Sequence, residues 1–387
     1  MNLSYIINEL GETREDYFNA VAPPIMQTSN FAFRNVRDFR KGLADEYDAW
    51  IYSRGNNPTV NILRQKLAAL DGAEDALVFG SGIAAVVTPI LANLAQGDHI
   101  VSVAKPYSWT NRLFEKILPR FGVETTFVNG ALVENFEKAI RPNTRIIYLE
   151  SPNTFTYELQ DLKAVAALAK SKNILTVIDN SYCTPLYQRP LEMGIDISIQ
   201  SATKYIGGHS DVVAGVVTGS KAMIRKIFEG ELMNFGAIIS PLPAWLLLRG
   251  LRTLEIRLQR ISESTQKVVS RLSQHPKIEK LLYPFHPSFP QYELAKQQMK
   301  NAGGLFSIVL RATTAAAVEE FCESLEYFLM AVSWGGHESL VFPSLAGFPE
   351  EQFDAGQEAH RMVRIYIGLE DPDCLIKDLE RALGKVD

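Results

Sequence analysis

The sequence predicts an α/β protein, with a large domain on a mostly parallel sheet followed by a smaller C-terminal α+β domain. Short runs that are apolar almost throughout recur at 76–79, 99–103, 123–127, 146–149, 174–178, 195–199 and 214–218. Amphipathic segments such as 109–121 and 162–170 lie between them. Strands buried on both faces read as continuous apolar runs, and intervening helices supply the crossovers of a parallel sheet. The chain of 387 residues has room for two or three domains.

Taken in order, residues 1–50 are polar with isolated apolar groups, Pro23-Pro24 and no clear period, and read as an irregular arm. A loop follows from Tyr52 to Thr59, where Asn, Gly and Pro mark turns. Proline pushes the residue before it out of the α region, so a helix is predicted to begin with Thr59 as N-cap. Ile62, Leu63, Leu67 and Leu70 then recur at helical spacing. Residues 76–95 carry no charge over 20 positions, enough to cross a bilayer. Gly80, Ser81, Gly82, Pro89 and Asn93 interrupt that stretch, so a buried strand, a tight turn and a buried helix account for it better.

A long helix is predicted from Ser240, with Pro241 in its first turn, where the missing N–H costs little. Ala244, Leu248, Leu251, Leu258, Ile261, Val268 and Leu272 keep one apolar face until Pro276. Beyond it, 305–310, 331–334 and 363–367 read as strands among three helical segments. The expected division is an arm at 1–50, an α/β domain at 51–240, and the long helix with the C-terminal domain at 241–387.

Composition narrows the function. A formal net charge of −5 sets aside nucleic acid and membrane surfaces as partners, because both need a concentrated positive field. Cys183, Cys322 and Cys374 stand far apart without metal-ligand or disulfide spacing, and the histidines form no metal motif, so no metal is expected. The first residues lack a signal-peptide pattern, which together with the cysteine usage points to the cytoplasm.

The chemistry concentrates at 198–211, SIQSATKYIGGHSD. Lys204 follows the hydroxyl residues Ser201 and Thr203 at the end of an apolar run. A lysine there can condense with an aldehyde cofactor while the hydroxyls donate to a phosphate, the pair of groups that pyridoxal 5′-phosphate (PLP) carries. Asp179 ends another apolar run, where a carboxylate can pair with a protonated pyridine nitrogen. A Walker B aspartate is the competing meaning, but no G-x-x-x-x-G-K-[ST] accompanies it. The turn from Gly80 through Ser81, Gly82 and Ile83 joins a strand to a helix and offers backbone N–H groups to an anion. It also satisfies the dinucleotide fingerprint G-x-G-x-x-A, although Asp98 lies at the wrong end of the next strand for a ribose. An NAD-dependent oxidoreductase is therefore the competing class. Tyr107 follows a strand end, where it could stack on a flat ring. Arg364 interrupts an apolar strand, and its fork of donors suits a carboxylate.

The whole chain resembles the Cys/Met-metabolism family of PLP enzymes, the cystathionine γ-synthase-like branch of fold-type I. The resemblance rests on Y-x-R-x-x-N-P-T from Tyr52, the turn at Ser81, D-N-x-[aromatic]-x-[ST]-P from Asp179 and S-A-T-K-Y-x-x-G-H-x-D from Ser201. It extends through R-G-L-R-T-L from Arg249, S-W-G-G-x-E-S-L from Ser333 and R-x-x-I-G-L-E-D from Arg364. It implies the aspartate aminotransferase-like fold, with Lys204 bonded to PLP, Asp179 on the ring nitrogen and Tyr107 over the ring. Ser201, Thr203, Ser81 and the amides of Gly82 and Ile83 would hold the phosphate. Tyr52 and Arg54 would reach the phosphate of a neighbouring subunit, implying an obligate homodimer, paired again into a homotetramer. Arg364 and Ser333, with Tyr52, would bind a sulfur amino acid. Within the family, Glu150-Ser151-Pro152-Asn153-Thr154-Phe155 and Trp334 resemble the β-lyases, and Val332 stands where γ-acting members carry glutamate. The expected activity is β-elimination of L-cystathionine in transsulfuration and methionine biosynthesis, giving homocysteine, pyruvate and ammonia. Cystathionine γ-lyase, methionine γ-lyase and cystathionine γ-synthase are the alternatives.

Overall fold

The computed structural model describes residues 1–386. Its larger sheet contains seven strands: β1 (Asp75–Phe79), β2 (His99–Val103), β3 (Glu124–Val128), β4 (Thr144–Glu150), β5 (Leu175–Asp179), β6 (Ile197–Gln200) and β7 (Gly215–Gly219). They lie in the order β1-β7-β6-β5-β4-β2-β3. Only β7 runs against its neighbours, β1 and β6; the other pairings are parallel. Each strand falls within a few residues of an apolar run read from the sequence. Burial on both faces explains this legibility for the inner strands, where Val101, Ile147, Val177, Ile197 and Val217 are fully buried.

The smaller sheet contains β8 (Ile278–Leu282), β9 (Leu305–Leu310), β10 (Leu329–Met330), β11 (Leu340–Pro343) and β12 (Met362–Tyr366), in the order β10-β11-β12-β9-β8. The helices Leu254–Leu272 and Pro372–Leu383 place Leu258, Ile261, Leu379 and Leu383 in the core shared with this sheet.

Four sequence expectations need correction. The arm is not wholly irregular, since it contains the helices Leu3–Asn8 and Val36–Ala44. The helix Pro58–Asp71 is capped by Asn57, whose side chain accepts from the Thr59 amide, and Pro58 takes the first helical position instead of preceding the helix. The long helix is two, Pro241–Leu251 and Leu254–Leu272. The Gly250 carbonyl accepts from the Thr253 amide at 3.2 Å and from Arg257 Nη2 at 2.8 Å, which breaks the i→i+4 ladder. Finally, no strand occupies 331–334, where Ser333 has φ 77°, a left-handed backbone incompatible with an extended strand.

Among the described residues no helix is long and apolar enough to cross a membrane. The uncharged stretch 76–95 consists of β1, a turn and the helix Gly82–Leu91.

Candidate active site

The carboxyl ends of β1, β2, β4, β5 and β6 point to one edge of the large sheet, the edge where ligands of open α/β sheets bind. Asp179 is the last residue of β5, and the Ser201–Lys204 segment follows β6. Tyr107 starts the helix that follows β2. Gly82 begins a helix whose cap, Ser81, accepts from the Ala84 amide at 3.1 Å. The amides of Gly82 and Ile83 have no acceptor within their own helix, as geometry requires of a first turn.

Ser201 faces that helix end. A Cβ at Gly82 would lie 2.8 Å from Ser201 Oγ, so glycine leaves the space between the two segments open. The Ser201 amide donates to Ser181 Oγ at 2.6 Å, and the Ser181 amide donates to Asp179 Oδ1 at 2.9 Å. Ser181 thus ties the Asp179 carboxylate to the loop carrying Ser201 and Lys204. The Thr203 hydroxyl is already engaged, donating to the Ala214 carbonyl at 3.2 Å and accepting from its amide at 2.9 Å. To serve a phosphate as donor, it must release that carbonyl.

Lys204 sits where the two sheets' loops meet. Its Nζ donates to Ser333 Oγ at 2.5 Å and lies 5.4 Å from the centre of the Trp334 ring. Gly335 packs so closely that a Cβ would stand 2.9 Å from Lys204 Cα. Burial, and then the nearby Arg364 charge, lower the Lys204 ammonium to about 8, with Asp179 opposing. A fraction of this amine is therefore free base near neutral pH.

Arg364, on β12, places its guanidinium against the adjoining rings of Phe155 and Phe342, 4.9 and 5.1 Å from their centres. One of its nitrogens donates to the Ser333 carbonyl at 3.3 Å. Burial lowers its pKa, and no carboxylate contributes to its surroundings among the described residues. A half-buried, partly desolvated cation without a counter-ion is poised for an anionic group.

Asp179 is half-buried without an ion-pair partner, and desolvation raises its carboxyl above the ordinary carboxylate range. Its cross-strand neighbour is Glu150, buried at the end of β4. Burial and the Asp179 charge push Glu150 up in turn. Burial raises the Tyr107 phenol, with Asp179 and Glu150 adding to the effect.

Lys204, Asp179, Ser201, Thr203, Gly82, Ile83, Tyr107, Ser333 and Arg364 therefore lie at or directly beside the common sheet edge or the loops meeting Lys204. Tyr52 and Arg54 do not join them: both are exposed, and they stack on each other at 5.7 Å. Sequence reasoning gave no role to Glu150, Ser181, Phe155 or Phe342. A glutamate and a serine at strand ends were visible signals, but their partners are set by strand order.

These features fit PLP: an open helix end beside Ser201 for phosphate, a half-buried carboxylate for a ring nitrogen and a lysine of depressed pKa for an aldehyde. A family model for Cys/Met metabolism PLP-dependent enzymes matches residues 6–384. The chain belongs to that family, and its cofactor is PLP. It is 39% identical to the L-methionine gamma-lyase of Treponema denticola, covering 95% of this chain and 94% of the relative. It is 36% identical to the cystathionine gamma-lyase of Bacillus subtilis, over 97% of each chain. It is 35% identical to the cystathionine beta-lyase of the same organism, over 95% of this chain and 92% of the relative. The protein is a PLP-dependent lyase of cysteine and methionine metabolism, and these relatives divide between β- and γ-acting members.

Proposed function

We propose that this protein is a carbon–sulfur lyase that eliminates the sulfur substituent from the β-carbon of L-cystathionine, releasing homocysteine, pyruvate and ammonia. The observation that carries the lyase chemistry is the juxtaposition of Lys204 with Arg364 through Ser333. Lys204 Nζ meets the Ser333 hydroxyl, and the Arg364 guanidinium meets the Ser333 carbonyl. A substrate α-carboxylate held at Arg364 therefore keeps its α-carbon within the neighbourhood of a partly neutral amine.

When bound, PLP supplies the electron sink for the negative charge that develops at that α-carbon. Asp179 would hold its ring nitrogen in the protonated form, Ser201 and the amides of Gly82 and Ile83 would hold its phosphate, and Tyr107 would cover its ring. Thr203 assists once its hydroxyl turns from Ala214. Lys204 takes the α-proton at Nζ, aid of a kind that typically gives roughly 100- to 10,000-fold. Arg364 orients the carboxylate and Ser333 steadies Lys204. The preference for β-elimination rests on Trp334 against Lys204 and on Val332 where γ-acting members carry glutamate. Elimination at the γ-carbon is the second reading, favoured by the methionine gamma-lyases of 36–39% identity.

Tyr52 and Arg54, exposed in the single chain, complete the phosphate site of a second subunit in this reading, so the active form is a homodimer or a pair of dimers. The expected location is the cytoplasm. Purified protein incubated with L-cystathionine is expected to release pyruvate and homocysteine. Release of 2-oxobutyrate instead moves the protein to the γ-lyases, and absence of both products refutes the activity.

A further inference from the structure

Glu150 is placed where a carboxylate is costly. It is 5% exposed, it sits opposite Asp179 in the strand register, and it has no cation partner. Nothing in the chemistry assigned above requires it. A buried carboxylate beside the ring-nitrogen partner needs a physical reason.

The bonds of its two oxygens supply one. Oε2 accepts from the Tyr107 amide at 2.7 Å. Oε1 accepts from the Thr154 amide at 2.8 Å and from the Thr154 hydroxyl at 2.7 Å. Tyr107 begins the segment after β2, and Thr154 lies in the loop after β4, next to Phe155, which packs on Arg364. Thus one oxygen fixes the loop bearing the tyrosine over the ring, and the other fixes the loop that flanks the carboxylate-binding arginine. Lys105, two residues before Tyr107, has φ 54°, and Phe155 and Tyr157 have φ 68° and 57°. Both loops thus contain backbone that L-residues disfavour, which external bonds must hold.

Only an acceptor on both sides satisfies these donors. Glutamine has the same shape, but its amide presents N–H groups on one side. In either orientation it sets a donor against the Tyr107 amide or against the Thr154 amide and hydroxyl. We infer that Glu150 is a positioning residue, whose carboxylate clamps the Tyr107 loop and the Thr154–Phe155 loop in the geometry that stacks the cofactor ring and presents Arg364. The inference rests on the proposed roles of Tyr107 and Arg364.

Glu150→Gln holoenzyme tests it through the visible circular dichroism of bound PLP, which reports how the ring is held, together with KM and kcat. The band per bound cofactor is expected to fall about twofold or more, and KM to rise roughly threefold to tenfold, more than kcat falls, as for one or two buried bonds lost. The apoprotein should melt within a few degrees of wild type. An unchanged band and KM overturn the inference, as does a lowered melting temperature with an unchanged band. If Glu150→Gln does not fold, Thr154→Val removes one donor and leaves the carboxylate. It is expected to raise KM about threefold, and an unchanged KM overturns the inference. Wild-type protein that takes up no PLP refutes the functional reading as well; a wild-type holoenzyme indistinguishable from its Glu150→Gln variant refutes this inference alone.

Discussion

Gly82→Ala separates cofactor binding from stability, because its expected effects on the two are unequal. Gly82 is the first residue of its helix and does not have a positive φ, so alanine suits the backbone there and removes some freedom from the unfolded chain. That gain offsets part of the cost of a close approach to Ser201, so the apoprotein is expected to stay within about 1 kcal/mol of wild type. The added Cβ, however, lies 2.8 Å from Ser201 Oγ and 3.0 Å from Ser201 Cβ. The hydroxyl must turn away, losing the bond to phosphate proposed for it. A hydrogen bond to a charged group contributes about 1.5–3 kcal/mol. The dissociation constant for PLP should therefore rise about tenfold to 150-fold. Titration of apoprotein with PLP, followed by absorbance, measures that change, and thermal melting of the apoprotein measures the other. A dissociation constant within about twofold of wild type refutes the placement of phosphate between Gly82 and Ser201. A loss of more than about 2 kcal/mol of apo stability means that the space at Gly82 serves packing instead.

Other perturbations test the remaining parts of the site. Lys204→Ala should abolish elimination, and near-normal turnover refutes its role. Arg364→Lys should raise KM about tenfold to 150-fold as a charged bidentate contact is reduced; unchanged KM and efficiency count against its carboxylate role. In the apoprotein, Lys204 is held at about 8 against an ordinary 10.5. The folded chain therefore binds fewer protons there than the unfolded chain, a destabilisation fully present below the lower value and relieved as pH rises toward the upper one. Apo Lys204→Met should accordingly melt higher than apo wild type near about pH 7, with the advantage shrinking toward about pH 10; a constant difference refutes the shift. Gly208→Ala should cost more than about 3 kcal/mol, combining a left-handed φ with displacement of a buried guanidinium. Gly208 has φ 70°, and a Cβ there would overlap Arg257, which holds the Tyr205 and Gly250 carbonyls at 2.8 Å. Chemical denaturation measures it, and a loss below about 1 kcal/mol refutes the packing argument.

The sequence by itself determined the elements whose signal is local. The inner strands of the large sheet were readable because residues buried on both faces must be apolar; the edge strand β3, exposed or half-buried up to Phe127, carries the weakest such signal. Lys204, Ser201 and Thr203 are close in the chain, so they stand out as one motif, as does the glycine turn at Gly80 to Ile83. The strands β8, β10 and β11 escaped: Glu279 and Lys280 interrupt β8, β10 is two exposed residues, and β11 is a short run that ends in Pro343.

Tertiary structure alone decided what depends on residues far apart in the chain. The break after Leu251 comes from Arg257 capturing the Gly250 carbonyl, a competition that helical periodicity does not register. Asn57 displaced Thr59 as cap, while the Thr59 hydroxyl donates to the Pro24 carbonyl of the arm. Arg364 could have been a structural ion pair until its surroundings proved to be two aromatic rings and a carbonyl. Glu150 became a neighbour of Asp179 only when β4 paired with β5. A sequence records which groups can bond, but strand order and loop closure choose the partners, and partners set charge, burial and reactivity.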